Sequence, residues 1–156
     1  GTFGKAFGIF GAYVACSKTI KEYLVNKCGG LIYATALPPS IVCGIDKALD
    51  IVVTMVEERE HLQVLSGLLR GGLQKMGYDI GDSKSQIVPM IIGDSGETLE
   101  CSAYLKNQGY WVTAVREPTV PKSQSRLRFA VNASHKEKDI HNLLNALSHY
   151  KMAKAA

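Results

Sequence analysis

The longest helical pattern of the chain, over residues 40–71, constrains its fold more than any other feature. Apolar residues recur there at helical spacing, from Ile41 through Leu49 to Leu69. A polar interruption at residues 57–61 leaves one long helix or two helices in tandem as the prediction. The chain is therefore expected to divide here into an opening segment and a C-terminal region.

Strand and helix patterns alternate in the C-terminal region. Strands are predicted at residues 87–92, 110–115 and 125–131, and helices at 98–107 and 136–151. Pro89 favours an edge strand or a bulge, and Ser134 or Asn132 is the expected cap of the last helix. This order predicts a small α/β layer with helices over one face of the sheet.

The opening segment is predicted to be mixed as well. Residues 9–16 are small and apolar and suit a buried strand, and residues 31–35 form a second, short β-type run. The expected helix boundaries are a start at Ser17, a stop at Gly29-Gly30 and a second start at Pro38-Pro39.

Composition excludes several functions. The formal charge of +4 is mild and no two Lys or Arg residues are adjacent, so nucleic-acid binding is not expected. The 4 cysteines lack metal-ligand spacing, which indicates buried thiols of a cytoplasmic protein and no metal site. The apolar runs fall far short of the ~18 residues of a membrane span. No secretory signal is recognised. Because the chain lacks an initiator Met and opens within its most motif-like stretch, it is interpreted as a fragment without its N-terminal part.

Lys5 is the first candidate for chemistry, because it lies within the glycine-rich stretch GTFGKAFG at residues 1–8. A lysine among glycines and small or aromatic residues is expected to be poorly solvated, which disfavours its charged form and suits a nucleophile or base. A phosphate-binding loop is excluded, since Ala6 follows the lysine where Ser or Thr is needed. A Schiff-base lysine with the Thr2 hydroxyl near a phosphate oxygen fits better; a solvated loop lysine is the alternative.

Two arginines near the end of the chain form the second candidate. Strand alternation places Arg126 and Arg128 on one face, with Leu127 and Phe129 opposite. A planar guanidinium can hold a carboxylate through two hydrogen bonds. A solvent-facing edge, or an ion pair with a neighbouring Glu, explains the pattern equally well.

Four stretches, taken in order, resemble the α-oxoamine synthases of the class-II pyridoxal-phosphate-dependent aminotransferase family. They are GTFGKAFGIFGAYVACS (1–17), LIYATALPPS (31–40), QIVPMIIGDS (86–95) and QGYWVTAVREPTVPKSQSRLRFAVNASHKEKDI (108–140). The likeness covers essentially the whole chain. The opening and the WVTAVREPTVP run look most like the branch that condenses L-alanine with a pimeloyl thioester, on coenzyme A or an acyl carrier protein, to 8-amino-7-oxononanoate in biotin biosynthesis.

The resemblance implies the C-terminal part of a fold-type I pyridoxal-phosphate (PLP) transferase of α/β class. Residues 1–50 would end the large cofactor-binding domain, 51–75 would form a linking helix, and 76–156 would form the small C-terminal α/β domain. It also implies a cytoplasmic homodimer with active sites at the subunit interface.

The resemblance further implies roles for five residues. Lys5 would be the Schiff-base lysine, Thr2 a ligand of the cofactor phosphate, Arg128 the partner of the amino-acid carboxylate, and Thr119 a substrate contact. Thr35 is the remaining hydroxyl donor in the segment expected to border the neighbouring subunit's cofactor phosphate.

Two alternatives remain open. One is a glycine-using relative of the 2-amino-3-ketobutyrate CoA ligase or 5-aminolevulinate synthase type, and the other is a non-catalytic synthase-like subunit, against which the presence of Lys5 argues. In the family, the acidic partner of the pyridine nitrogen and the histidine stacked on the ring precede the lysine. The 156-residue polypeptide alone is therefore expected to be inactive.

Overall fold

The computed structural model describes residues 1–155, which form two compact units, the first from Gly1 to Val56 and the second from Glu57 onward. The helices and strands, in chain order, are α1 (Lys18–Lys27), α2 (Gly29–Ile32), α3 (Pro39–Thr54), α4 (Val56–Lys75), β1 (Ile87–Gly93), α5 (Ser95–Asn107), β2 (Thr113–Val115), β3 (Ser125–Ala130) and α6 (Glu137–Ala155). The long helical pattern is thus two helices in tandem, one of the two forms predicted.

Two of the three expected helix boundaries in the first unit are confirmed. The Ser17 hydroxyl accepts a hydrogen bond from the Ile20 N–H at 3.4 Å and caps α1, and α3 begins at Pro39 directly after Pro38. The predicted stop at Gly29-Gly30 is wrong, because α1 already ends at Lys27 and the two glycines begin the short helix α2.

Neither strand predicted in the first unit is present. Residues 9–16 are exposed or half-buried and contribute one isolated bridge, from Ala12 to Thr2, while Leu31 and Ile32 belong to α2. An apolar run becomes a strand only where a partner strand supplies the ladder of hydrogen bonds. Within this unit no such partner lies beside either run.

The first unit buries little of its apolar surface. Among its residues Phe3 alone is buried, and neither α1 nor α3 contains a buried residue. Large apolar side chains such as Tyr33 and Phe10 are 88% and 74% exposed. The order in this unit therefore comes from backbone hydrogen bonds and local packing.

The second unit is built on a three-stranded antiparallel sheet in the order β1-β3-β2. Leu127 in the central strand pairs with Met90 of β1 on one side and Ala114 of β2 on the other. Pro89 lies in β1, which is an edge strand as predicted. β2 is shorter than predicted because the Tyr110 N–H donates to Leu105 at the end of α5 instead of joining the sheet.

One face of this sheet carries the core of the second unit. Most of the buried apolar side chains come from all three of its helices and from β1 and β3, among them Leu65, Leu69, Leu73, Val88, Met90, Cys101, Leu105, Leu127, Phe129, Ile140, Leu143 and Leu147. The predicted α/β layer with helices over one sheet face is therefore confirmed. The assignment of residues 1–50, 51–75 and 76–156 to large domain, linking helix and small domain stays a prediction, and Ala156 lies outside the described residues.

Two helix starts differ from the prediction. α5 begins at Ser95 because the Asp94 carboxylate accepts the Glu97 N–H at 2.8 Å. Neither predicted residue caps α6, since the Asn132 side chain accepts from the N–H and hydroxyl of Ser134 and both residues lie before Lys136, which directly precedes the helix. The α6 helix begins two residues beyond that turn, at Glu137.

Of the four cysteines, only Cys101 is buried, while Cys16 and Cys43 are exposed and Cys28 is half-buried. The prediction of four buried thiols is therefore wrong, since three of them lie in the first unit, which lacks an extensive core. Within residues 1–155, no helix is both long and apolar enough to cross a bilayer.

Candidate active site

Residues 1–13 form a closed loop that carries Lys5. The Phe3 N–H donates to the Gly11 carbonyl at 2.9 Å, and the Ile9 N–H donates to the Phe3 carbonyl at 3.1 Å. These bonds join the two sides of the loop through the backbone. The backbone around the lysine is therefore held in part by its own hydrogen bonds.

Lys5 begins a tight turn at the tip of this loop. The Gly8 N–H donates to the Lys5 carbonyl at 2.9 Å, and Gly8 has a φ of +65°, which favours glycine. The Lys5 side chain is exposed, and its amine has no partner among the described residues. The prediction of a poorly solvated lysine is wrong for this chain, because the flanking glycines have no side chains to cover the amine.

Aromatic packing holds the base of the loop. The ring of Phe3 meets the Phe7 ring edge-on, with centroids 5.2 Å apart and an interplanar angle of 88°, and it lies 5.0 Å from the Tyr13 ring. Edge-on and tilted pairs at these distances are favourable beyond the area that they bury. Phe3 thereby holds both Phe7, two residues after Lys5, and Tyr13, at the end of the loop.

The loop also packs against α3. A Cβ at Gly11 would lie 3.2 Å from the Ile45 Cδ1 and 3.4 Å from the Leu37 Cδ1, and Gly11 has a φ of +144°. A Cβ at Gly44 would lie 3.2 Å from the Ile9 side chain. Glycine on both sides of the contact therefore lets the loop approach the helix closely.

Thr2 lies in the same loop as Lys5. Its hydroxyl accepts the Gly4 N–H at 3.2 Å and donates to the Gly11 carbonyl at 3.3 Å. The second bond is long, so the hydroxyl hydrogen can turn to another acceptor at little cost. Thr35 is exposed in the stretch before α3, and the described residues give its hydroxyl no partner.

In the second unit, β3 presents Arg128 on the open face of the sheet. Leu127 and Phe129 are buried on the opposite face, which confirms the predicted alternation. Arg128 pairs with Pro89 of β1 and Thr113 of β2, and its side chain is exposed.

The two arginines of β3 differ in their partners. The Arg126 Nε donates to the Gln124 carbonyl at 2.8 Å, and its Nη2 donates to the Gln124 Oε1 at 3.3 Å. The Arg128 guanidinium has no hydrogen bond or ion pair within residues 1–155. An ion pair with a neighbouring Glu is therefore not observed, and the N–H donors of the Arg128 guanidinium are available to a ligand.

Thr119 lies in the loop that joins β2 to β3. Its N–H donates to the Arg116 carbonyl at 2.9 Å, and its side chain is exposed. The Glu117 carboxylate accepts the Ser123 N–H at 3.0 Å across this loop. Sequence reasoning missed Glu117 and Gln124 as loop-fixing residues; the only signal was their place in a polar run between two strands.

Among residues 1–155, the groups with shifted pKa values, Tyr78, Cys101, Tyr150 and Lys154, all lie in the second unit. Burial raises the pKa of the Cys101 thiol to about 11; the Glu97 charge adds to the rise and the Lys154 charge opposes it. The Lys154 amine lies 3.3 Å from Glu97 and 3.2 Å from Glu100, so it joins α6 to α5.

No three His, Cys, Asp or Glu side chains gather as a metal site among residues 1–155.

The structure thus brings Thr2 and Lys5 together in the first unit and Thr119 and Arg128 into one hairpin of the second. An exposed primary amine such as that of Lys5 can react with a carbonyl group. An unpaired guanidinium such as that of Arg128 can hold a carboxylate. The aminotransferase class I and II family model matches residues 1–147. The chain belongs to this family.

The relatives within it carry a more specific name. The chain is 50% identical over 147 residues to a putative 8-amino-7-oxononanoate synthase of Paramagnetospirillum magneticum, covering 94% of this chain and 38% of that protein. It is 46% identical to an 8-amino-7-oxononanoate synthase of Gluconacetobacter diazotrophicus, covering 94% and 37%. The predicted resemblance is confirmed, and the chain spans less than two fifths of the length of these relatives.

Solved structures share the fold. Sphingomonas wittichii serine palmitoyltransferase matches with a TM-score of 0.89 and 25% identity, over 99% of this chain and 39% of that one. A structure of SPT with PLP matches with a TM-score of 0.89 and 27% identity, over 97% and 39%. The 8-amino-7-oxononanoate synthase of Francisella tularensis matches in fold, with a TM-score of 0.86, at 24% identity over 99% and 45%. The predicted fold class is confirmed.

Proposed function

We propose that the whole protein is a cytoplasmic PLP-dependent acyltransferase of the α-oxoamine synthase type. It would condense L-alanine with a pimeloyl thioester to give 8-amino-7-oxononanoate, CO2 and the free carrier, a step of biotin biosynthesis. The names of the relatives at 50% and 46% identity support this choice of product.

The observation that carries the proposal is the Lys5 loop. Backbone bonds, the packing of Phe3 and close contact with α3 order this loop, yet the Lys5 amine at its tip is exposed. A reactive amine is effective when its backbone is held before the reaction, because positioning is then not part of the barrier. A solvated lysine without function gives no reason for such an ordered loop.

The residues present fit PLP as cofactor. The group has an aldehyde, which needs a primary amine, and a phosphate, which needs hydroxyl or N–H donors. Lys5 offers the amine, and Thr2 in the same loop offers a hydroxyl that is weakly engaged with Gly11. When bound, PLP supplies an electron sink for the charge left on the amino-acid α-carbon.

Lys5 would perform two tasks. Its amine would hold the cofactor until alanine takes its place, and the released amine, in its neutral form, would accept the α-proton of alanine as a general base. The same amine can return a proton to the product carbon after CO2 leaves. A single lysine at the loop tip is therefore assigned both proton transfers.

Arg128 would orient the amino acid. Its open guanidinium suits a carboxylate with two parallel hydrogen bonds, whereas the Arg126 guanidinium is already bonded to Gln124. Fixing the carboxylate fixes the direction of the Cα bonds, so the bond to be broken is chosen by position. The Thr119 hydroxyl, on the neighbouring loop, would be a further substrate contact.

We further propose that the protein is a homodimer in which Thr35 contributes a donor toward the cofactor phosphate of the neighbouring subunit. Large apolar side chains such as Phe10 and Val14 are exposed on the first unit, and burying them requires contact with the rest of the protein or with a partner subunit. Tyr33, two residues before Thr35, is 88% exposed.

The proposed function is tested by substrate selection with the whole protein and PLP. Alanine, glycine and serine are each assayed with pimeloyl-, acetyl-, succinyl- and palmitoyl-CoA, and release of free thiol and of CO2 is measured. Alanine with pimeloyl-CoA is expected to give the highest kcat/KM. A preference for glycine with acetyl- or succinyl-CoA would indicate the glycine-using alternative, and no turnover with any pair would indicate a non-catalytic subunit.

A further inference from the structure

One side chain closes the loop between β2 and β3. The Glu117 Oε1 accepts the Ser123 N–H at 3.0 Å, and the bond joins residues that are six apart. Thr119 lies between them. The bond therefore spans the part of the loop that carries the candidate substrate contact.

The conformation of Ser123 depends on this bond. Ser123 has a φ of +58°, in the left-handed region that residues other than glycine seldom adopt. Such a conformation persists only where surrounding contacts offset its cost. A carboxylate that accepts the Ser123 N–H supplies such a contact.

The other bonds of the loop are local. The Thr119 N–H donates to the Arg116 carbonyl at 2.9 Å, and the Gln124 N–H donates to the Pro121 carbonyl at 3.1 Å, so each forms a separate turn. Within residues 1–155, the Glu117 bond alone links these two turns across the loop. Because the Thr119 side chain is exposed, packing of that side chain does not set its place.

We propose that Glu117 is a positioning residue for Thr119, an inference that rests on the proposed substrate contact of Thr119. Glu117 itself is unsuited to bind the amino acid, because its negative charge would repel the substrate carboxylate. Its contribution is to hold the two turns together, so that the Thr119 hydroxyl is in place before the substrate arrives. Because the loop is ordered in advance, the entropy cost of ordering it does not weaken substrate binding.

The test compares three variants of the whole protein loaded with PLP. Glu117→Ala removes the acceptor, Glu117→Gln keeps an Oε1 that can accept the same N–H, and Glu60→Ala removes an exposed carboxylate on α4 as the matched control. KM for alanine and kcat are measured separately. Hydrogen exchange of the peptide that contains Ser123 is followed by mass spectrometry.

Glu117→Ala is expected to raise the alanine KM about fivefold with little change in kcat, and to speed exchange in the Ser123 peptide by a similar factor, as loss of one exposed hydrogen bond implies. Glu117→Gln should restore both to within about twofold of wild type, since the neutral amide is the weaker acceptor. Glu60→Ala should change neither.

Three results would overturn the proposal: an unchanged exchange rate in Glu117→Ala, faster exchange with an unchanged KM, or a Gln variant that behaves like Ala. Thr119→Ala is measured alongside and is expected to raise the alanine KM. If Thr119→Ala raises KM and Glu117→Ala does not, the positioning role alone fails. If Thr119→Ala has no effect, the substrate contact in the proposed function fails and the positioning role with it.

Discussion

Arg126 and Arg128 share one strand and one face, so exchanging each for methionine separates their roles. Arg128→Met removes an open guanidinium from the sheet, while Arg126→Met removes one that is bonded to Gln124. Methionine keeps an unbranched apolar chain of similar length in both cases. The two variants therefore differ mainly in which guanidinium is lost.

The expected effects follow from the number and type of hydrogen bonds. A carboxylate held by Arg128 through two charge-assisted bonds gains about 1.5 kcal/mol from each, or about 3 kcal/mol together, which corresponds to a fall in kcat/KM of roughly 100-fold. The Arg126 bonds are made to Gln124 and not to the substrate, so Arg126→Met should lower kcat/KM by about threefold or less, the effect of a loop loosened by about 0.5 kcal/mol. Arg128→Lys should lie between, because an ammonium cannot form the bidentate pair.

The assay is alanine-dependent turnover of the whole protein at fixed pimeloyl-CoA, with thermal unfolding as the control for folding. Each variant should unfold within a few degrees of wild type, because both side chains lie outside the core. An Arg126→Met variant that loses as much kcat/KM as Arg128→Met, or more, would refute the assignment of the carboxylate to Arg128.

Two further predictions concern the core of the second unit. Because burial raises the Cys101 thiol pKa from 9.0 to about 11, the folded state keeps a proton that the unfolded state loses, so the free energy of unfolding should fall between pH 9 and about 11. Cys101→Ala should flatten this fall, measured by urea unfolding across that range; an unchanged pH dependence would contradict it. Leu147→Ala should lower the free energy of unfolding by about 3–5 kcal/mol, because the side chain is fully buried. Leu99→Ala, at a site that is 44% exposed, is the control and should lower the free energy of unfolding by less than about 1 kcal/mol. Equal losses of stability in the two variants would show that Leu147 is not in the core.

The second unit was largely predictable from the sequence, because its signals are local and mutually consistent. Alternation in β3 predicted which side of the sheet Leu127 and Arg128 occupy. Pro89 predicted an edge strand or a bulge, and β1 is an edge strand. The error at residues 110–112 came from a hydrogen bond between Tyr110 and Leu105, which no pattern of apolar residues reports.

The first unit was predicted poorly, because apolar content alone does not specify a strand. Residues 9–16 and 31–35 have suitable compositions, yet neither has a partner strand in the unit. The candidate residues were identified from the family resemblance. The geometry of the Lys5 loop could not be predicted, because it depends on backbone hydrogen bonds, such as that between Phe3 and Gly11, which residue spacing does not reveal. The role of Glu117 depends likewise on the unusual backbone of Ser123.

Reductive trapping of the cofactor identifies directly the lysine that bonds to PLP. The whole protein is incubated with PLP, reduced with borohydride, digested and mapped by mass spectrometry. A phosphopyridoxyl group is expected on Lys5. It should be lost in Lys5→Ala but kept in Lys21→Ala, whose lysine is also exposed in the first unit and serves as the control. Labelling of another lysine while Lys5 stays unmodified would show that Lys5 does not form the Schiff base.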